Sequence, residues 1–267
     1  MRLVIATTLD DPLAGTFWEA YAAAGGAAPQ AVFFIAPRRT TTFIRQALEA
    51  LLLFGPVDAW RSWRGGRRLR GVLLTAPRRL FPDAAIFHVS TLNRGDGLAA
   101  LQRAAPTLLV SAGAPEIFSR SVLRMPTVGA VNVHNGRLPA YRGLFGTFWE
   151  MRRGERWGYA SLHTMAPKVD AGPVLAEAAV PMEGRRIRPI LLAKKREGAR
   201  LLAWLVRFVE REGVLPPPRP DDEPRSGYYG WPSWRDLFAF RLAGRRSEKR
   251  ADNVAAVPSW PPGVLSD

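Results

Sequence analysis

The chain has 267 residues, 47% of them hydrophobic, enough to bury one sizeable core. It has no cysteine, which excludes disulfides, thiol chemistry and cysteine-ligated zinc, and three histidines leave little scope for a histidine-rich metal centre. The formal net charge of +15 comes mostly from arginine beside abundant Ala, Gly and Pro, which suits both GC-rich coding and a phosphate-bearing partner.

Residues 3–7 are apolar and β-compatible, and Asp10 and Asp11 follow at once. That reads as a first strand and loop, not a secretory segment. Residues 13–24 predict a helix ended by Gly25-Gly26, and 31–36 a second strand. Residues 42–54 predict a helix stopped by Gly55-Pro56. Trp60 and Trp63 come next, interleaved with Arg61, Arg64, Arg67, Arg68 and Arg70. This basic, aromatic insertion at about 40–70 has four readings. It is a helix with a solvated basic face, an acceptor-binding lid, a membrane-surface patch or a homodimer contact.

Short strands are predicted at 72–75 and 86–89, a helix at 97–104, and strands at 108–111 and 128–134. The alternation predicts an α/β fold: an open, mostly parallel Rossmann-like sheet with helices on both faces. No GxGxxG follows the first strand, so no dinucleotide site is expected. A long helix at 190–212 closes at Gly213, giving a catalytic domain over 1–212. Residues 213–227 hold a Pro-rich linker. The tail, 228–267, carries Tyr228, Tyr229, Trp231, Trp234, Phe238 and Phe240. It is too short to build its own core and is expected to dock on the domain, with disorder from about 254. No apolar run is long enough to cross a bilayer, so a cytoplasmic protein is expected.

The chemistry concentrates in Asn132-Val133-His134, Leu138-Pro139-Ala140-Tyr141-Arg142-Gly143 and Asp170-Ala171-Gly172-Pro173. The i, i+2 spacing puts Asn132 and His134 on one face of a strand. They stand at its carboxyl end, where open α/β sheets bind ligands. An amide can donate to a developing oxyanion, an imidazole can exchange a proton near neutral pH, and a carboxylate can orient the imidazole and favour its charged form. Each residue alone has a plainer use, as a cap, a packed ring or a turn. Together they suit acyl transfer.

Residues 131–143, and 161–165 with 169–175, resemble the two signatures of the 10-formyltetrahydrofolate-dependent formyltransferases. The separation of 38 positions between Asn132 and Asp170 also fits that family. The resemblance extends over about 1–205. It implies Asn132, His134 and Asp170 as the catalytic trio, with Asp170 holding His134 charged. It implies 10-formyltetrahydrofolate as formyl donor, no metal, and a pterin held by Val89, Ser111, Ala112, Gly113, Ala114 and Val169. Arg64, Arg67, Arg68, Arg142 and Ser161 are the candidates for contact with the acceptor. A small amine, such as a phosphate-bearing amino-sugar nucleotide, is the expected acceptor. Methionyl-tRNA formyltransferase and formyltetrahydrofolate hydrolase are the alternatives, with nucleic acid the weaker partner.

Some residues depart from the family pattern. Tyr159 stands where glycine is common, Asn135-Gly136-Arg137 replaces Pro-Ser-Leu or Gly-Ser-Leu, and Ser161 stands where threonine is common. His163 reads as packing or support for the site, and His88 as structural.

Overall fold

The computed structural model describes residues 1–8, 11, 13–36, 48, 51–56, 76–182, 186–220 and 223–243. In chain order the elements begin with β1 (Leu3–Thr8), α1 (Ala14–Ala23), β2 (Ala31–Ile35), β3 (Ala85–Val89), α2 (Gly95–Ala104), β4 (Leu108–Ala112), α3 (Arg120–Leu123) and β5 (Gly129–His134). They continue with β6 (Arg142–Gly143), α4 (Gly146–Arg152), β7 (Trp157–Thr164), β8 (Val174–Pro181), α5 (Ile187–Glu212), β9 (Tyr228–Tyr229) and α6 (Trp234–Leu242). The predicted strand at 72–75, most of the predicted helix at 42–54, and everything beyond 243 lie outside the described residues. So do Arg64, Arg67 and Arg68.

Seven strands form one sheet in the order β3-β2-β1-β4-β5-β7-β8. The first five are parallel to one another, while β7 runs antiparallel to both β5 and β8. The sheet is therefore mostly parallel, as expected. β1, β2 and β4 are buried along their whole length, which is why they read as apolar runs without alternation. The period of two still divides their side chains between two layers. Leu3, Ile5, Val32, Phe34 and Val110 pack with Trp18 and Tyr21 of α1 and Leu202 and Leu205 of α5. Val4, Ala6, Phe33, Ile35 and Leu109 pack with Leu101 of α2 and Val122 of α3. Helices thus cover both faces.

Helix α5 starts at Ile187, three residues ahead of the predicted start, with Pro189 inside its first turn. First-turn N–H groups lack intrahelical acceptors, so proline costs no bond there. The helix ends at Gly213, φ +73°, as expected. Two turns into it, Lys194 is fully buried and paired with the buried Glu150 of α4. Lys194 Nζ also donates to Thr147 Oγ1 at 3.1 Å. Glu150 Oε1 accepts the Arg137 N–H at 3.0 Å and the Tyr159 N–H at 3.2 Å. One carboxylate therefore joins α4, α5, β7 and the segment that follows β5. Burial pushes the Glu150 pKa up and pulls the Lys194 pKa down, and their mutual attraction opposes both shifts.

Gly158 sits against this pair. A Cβ there would lie 2.6 Å from Lys194 Cε and 2.7 Å from Met182 Sδ. Because its partners hold Lys194 in place, Gly158→Ala is expected to destabilise the fold by about 1–3 kcal/mol. The midpoint of urea unfolding measures this, and an unchanged midpoint would mean that the lysine can retreat.

The Pro-rich stretch is not a free spacer. Leu215 packs on the core, and the Arg219 N–H donates to the Val174 carbonyl at 2.6 Å. Arg219 also reaches the Leu138 carbonyl at 3.1 Å and Glu177 at 2.5 Å. Composition predicted a linker because proline forbids regular structure. Proline does not prevent packing. Beyond it, α6 buries Leu237 and Phe240 against Phe148 and Ile190, while Tyr228 and Phe238 remain exposed.

Candidate active site

Strand β5 carries Asn132 and His134 to the carboxyl end of the sheet. Asp170 arrives from the opposite direction, on the turn between β7 and β8, with a left-handed φ of +48°. That turn depends on Gly172, where a Cβ would lie 1.9 Å from the Thr164 carbonyl oxygen. Asn132 Nδ2 is 3.4 Å from Asp170 Oδ1, and His134 Nδ1 is 3.6 Å from Asp170 Oδ2. The amide, the imidazole and the carboxylate therefore converge. Their spacing is loose for hydrogen bonds, as is common in a site without bound ligand.

Backbone groups of the following segment hold two of the three. The His134 Nε2–H donates to the Tyr141 carbonyl at 2.8 Å, and the Gly143 N–H donates to Asp170 Oδ2 at 2.8 Å. A carbonyl only accepts, so Nε2 carries a proton and Nδ1 faces the carboxylate.

His163 joins the group. The antiparallel register places it directly opposite Asn132. Its Nδ1–H donates to the Thr164 carbonyl at 2.8 Å, and its Nε2 lies 3.1 Å from Asn132 Nδ2. In a neutral ring Nε2 is then an acceptor for one amide hydrogen of Asn132. Among the described residues, the second amide hydrogen has only the long Asp170 contact, which leaves it available to another acceptor. Sequence reasoning left His163 between packing and support. The deciding signal was the β5–β7 register, which no motif carries.

Burial pulls the His134 pKa below the ordinary imidazole value, and the attraction of Asp170 offsets only part of that. His134 is therefore neutral at pH 7, whereas the sequence led us to expect a ring held charged by Asp170. Burial also pushes the Asp170 carboxyl upward, but the His163 ring, His134 and the Gly143 N–H outweigh it and bring the pKa to about 2. Asp170 is ionised throughout the neutral range.

Residues 74–186 match the formyl transferase family model. The chain resembles the formyl transferases over those residues. It is 29% identical over 146 residues to the methionyl-tRNA formyltransferase of Dehalococcoides mccartyi, covering 55% of this chain and 46% of that enzyme. The chain thus spans about half the length of this relative. The fold resembles glycinamide ribonucleotide transformylase 1 from Symbiobacterium toebii at TM-score 0.53 and 18% identity, covering 78% of this chain and 88% of that one. It also resembles WlaRD, a sugar 3N-formyltransferase solved with dTDP and 5-N-formyl-THF, at TM-score 0.50 and 12% identity, covering 86% and 70%.

Within the matched residues, Ser111 is opposite Asn132 in the β4–β5 register. Ala112, Gly113 and Ala114 follow at the same end of the sheet, with Gly113 at φ +79°. Val169 precedes Asp170. Ser111 and Val169 thus adjoin Asn132 and Asp170, with residues 112–114 continuing from Ser111. Val89 does not join them, because it ends β3, and β2 and β1 stand between β3 and β4. At the usual strand spacing that is about 14 Å. The loop after Val89 does reach the β4 loop. Thr91 Oγ1 and the Leu92 N–H both donate to Glu116 at 2.6 Å.

The acceptor-side expectations fare differently. Ser161 is fully buried and donates its hydroxyl to the Gly136 carbonyl at 2.9 Å, so it braces the segment after His134 instead of meeting an acceptor. Arg142 forms β6, and its side chain is half-buried. Arg137 and Tyr159, two departures from the family pattern, pack on each other, with the guanidinium 4.8 Å from the ring centroid. Among the described residues, no group of three or more His, Cys, Asp or Glu side chains could hold a metal ion.

Proposed function

We propose that this chain transfers a formyl group from 10-formyltetrahydrofolate to a primary amine of a small acceptor. The observation that carries this reading is the convergence of Asn132, His134 and Asp170 within 3.4–3.6 Å at the end of the sheet. The donor supplies a formyl carbon attached to a nitrogen leaving group. The Gly113 turn and the Ser111–Ala114 backbone beside Asn132 suit close approach of a flat ring system. The folate analogue solved with WlaRD, which shares the fold, supports the same donor here.

The residues then have distinct tasks. As the amine nitrogen bonds to the formyl carbon, the carbonyl oxygen gains charge, and the available N–H of Asn132 donates to it. Such a preorganised donor lowers the barrier by about 3–4 kcal/mol. His134 enters neutral, so Nδ1 can take the proton released by the amine. The resulting imidazolium stands beside the Asp170 carboxylate, which stabilises it. His134 returns that proton to the departing nitrogen as the old C–N bond breaks. His163 holds the Asn132 amide in position.

Calorimetric titration with 5-formyltetrahydrofolate, a stable stand-in for the reactive donor, is expected to give saturable binding. Gly172→Ala is expected to weaken that binding and to lower kcat, because its Cβ would push apart the turn that presents Val169 and Asp170. Absence of heat and of any thermal shift at millimolar ligand would refute the folate reading.

A second reading, methionyl-tRNA as acceptor, is favoured by the Dehalococcoides mccartyi relative and by the +15 charge. Mass spectrometry of amino-sugar nucleotides and charged initiator tRNA, each incubated with donor and protein, separates the two. Formylation of the tRNA with no turnover of a small amine would establish the second.

A further inference from the structure

Residues 227–229 hydrogen-bond to the backbone segment that in turn bonds to His134 and Asp170. β9 pairs in parallel with β6, Arg142 opposite Tyr228 and Gly143 opposite Tyr229. The Arg142 N–H donates to the Gly227 carbonyl at 3.0 Å, and the Leu144 N–H to the Tyr229 carbonyl at 2.8 Å. The Gly227 N–H donates to the Pro139 carbonyl at 3.2 Å. Between these grips lie the Tyr141 carbonyl that accepts from His134 and the Gly143 N–H that donates to Asp170.

Several features show that this approach is built in. Gly143 has φ +95°, and a Cβ there would lie 2.2 Å from the Tyr229 carbonyl oxygen, so only glycine admits β9 this closely. The Tyr229 ring stacks on Tyr141 at 5.6 Å and on Trp149 at 5.2 Å. The Trp149 indole N–H donates to the Gly230 carbonyl at 3.2 Å. Ahead of the strand, Glu223 pairs with Arg137 at 3.2 Å and with Arg225 at 2.9 Å, and Arg225 also meets Glu155 at 2.5 Å. A two-residue strand has little stability of its own. Here stacking and ion pairs hold it at both ends.

We propose that β9 is a positioning strap, with Tyr229 its main anchor, that sets the placement of His134 and Asp170 through the segment 139–144. Both bonds from that segment to the trio use backbone atoms, so its position alone decides whether they form. Misplacement by about 1 Å can cost on the order of 100-fold in rate. The kinetic arm of the proposal rests on the formyl-transfer reading. The spectroscopic arm does not.

The chain has only three histidines, so imidazole ¹H–¹⁵N NMR of the full protein resolves them, with assignment by single His→Gln variants. His88 on β3, at the opposite edge of the sheet, reports on global folding. Tyr229→Ala is expected to shift the His134 Nε2–H signal and hasten its exchange with water while His88 stays in place. It is also expected to lower kcat at least about 10-fold with little change in the KM for the donor. Tyr229→Phe, which keeps the stack, should restore both. If Tyr229→Ala disturbs His88 as well, the chain has unfolded, and Glu223→Gln carries the same test with the stacks intact. An unmoved His134 signal and unchanged kcat in a folded Tyr229→Ala protein would overturn the strap. Absence of activity in the unaltered protein would count against formyl transfer and leave the His134 signal to decide the strap.

Discussion

Asn132→Ala is expected to lower kcat for formyl transfer by about 10²–10³-fold with folding intact, because it removes the N–H that meets the developing oxyanion in the proposed mechanism. His134→Ala and Asp170→Asn should each be similarly damaging, since proton uptake at His134 Nδ1 and stabilisation of the imidazolium are one process. The three act as a unit, so a double variant should lose far less than the sum of the singles on a logarithmic scale. Steady-state kinetics with saturating donor measures each. Retention of most activity by His134→Ala would remove it from the mechanism. Asp170→Asn also carries a pH signature. The folded pKa of Asp170 is about 2, below that of an unfolded aspartate near about 3.9. Its ionised form therefore stabilises the fold above about pH 3.9, and that contribution disappears as pH falls toward 2. The stability gap between the two proteins should narrow over the same window.

Lys194→Met is expected to cost about 3–5 kcal/mol of folding stability, because it leaves the Glu150 carboxylate buried without its cation. Glu150 already has a raised pKa through burial, and loss of the lysine raises it further. A carboxyl whose folded pKa is raised penalises folding above its unfolded pKa, about 4.3, and the penalty grows with pH until the folded pKa is reached. The variant should therefore be least impaired in mild acid and most impaired at neutral pH. Pairing it with Glu150→Gln should recover part of the loss, giving a coupling energy in a double-mutant cycle. Denaturant midpoints for the four proteins test this. Additive losses would mean that the two side chains do not depend on each other.

Glu150 also accepts the Arg137 N–H, three residues beyond His134. The stability of the pair and the placement of the site are thus linked, and a strong Lys194 variant should lose activity before it loses its helices. Tyr229 acts on the same segment from the solvent side. The segment after His134 thus meets the buried ion pair through Arg137 and the Tyr229 stack through Tyr141.

The amino-acid sequence determined the sheet and its helices on both faces, and it singled out Asn132, His134 and Asp170, which the fold brings together. These follow from local information: apolar runs of strand length, glycine stops, and a motif whose residues lie on one strand or one turn. It also indicated that the tail docks, because so many aromatics in a short segment must be covered. The tertiary structure decided the rest. His163 faces Asn132 only because β7 runs antiparallel to β5 in one particular register. Ser161 is buried against the Gly136 carbonyl, and Val89 is set apart from Ser111 and Asn132, because burial and strand order are properties of the assembled sheet. The neutral state of His134 depends on how much solvent the surrounding chain removes, and here burial outweighs the carboxylate beside it. The packing of the Pro-rich stretch and the strap at β9 join residues some 80 positions apart, Arg219 to Leu138 and Trp149 to Gly230. Contacts at that separation leave no periodicity along the chain, because they are set by where the folded surfaces meet.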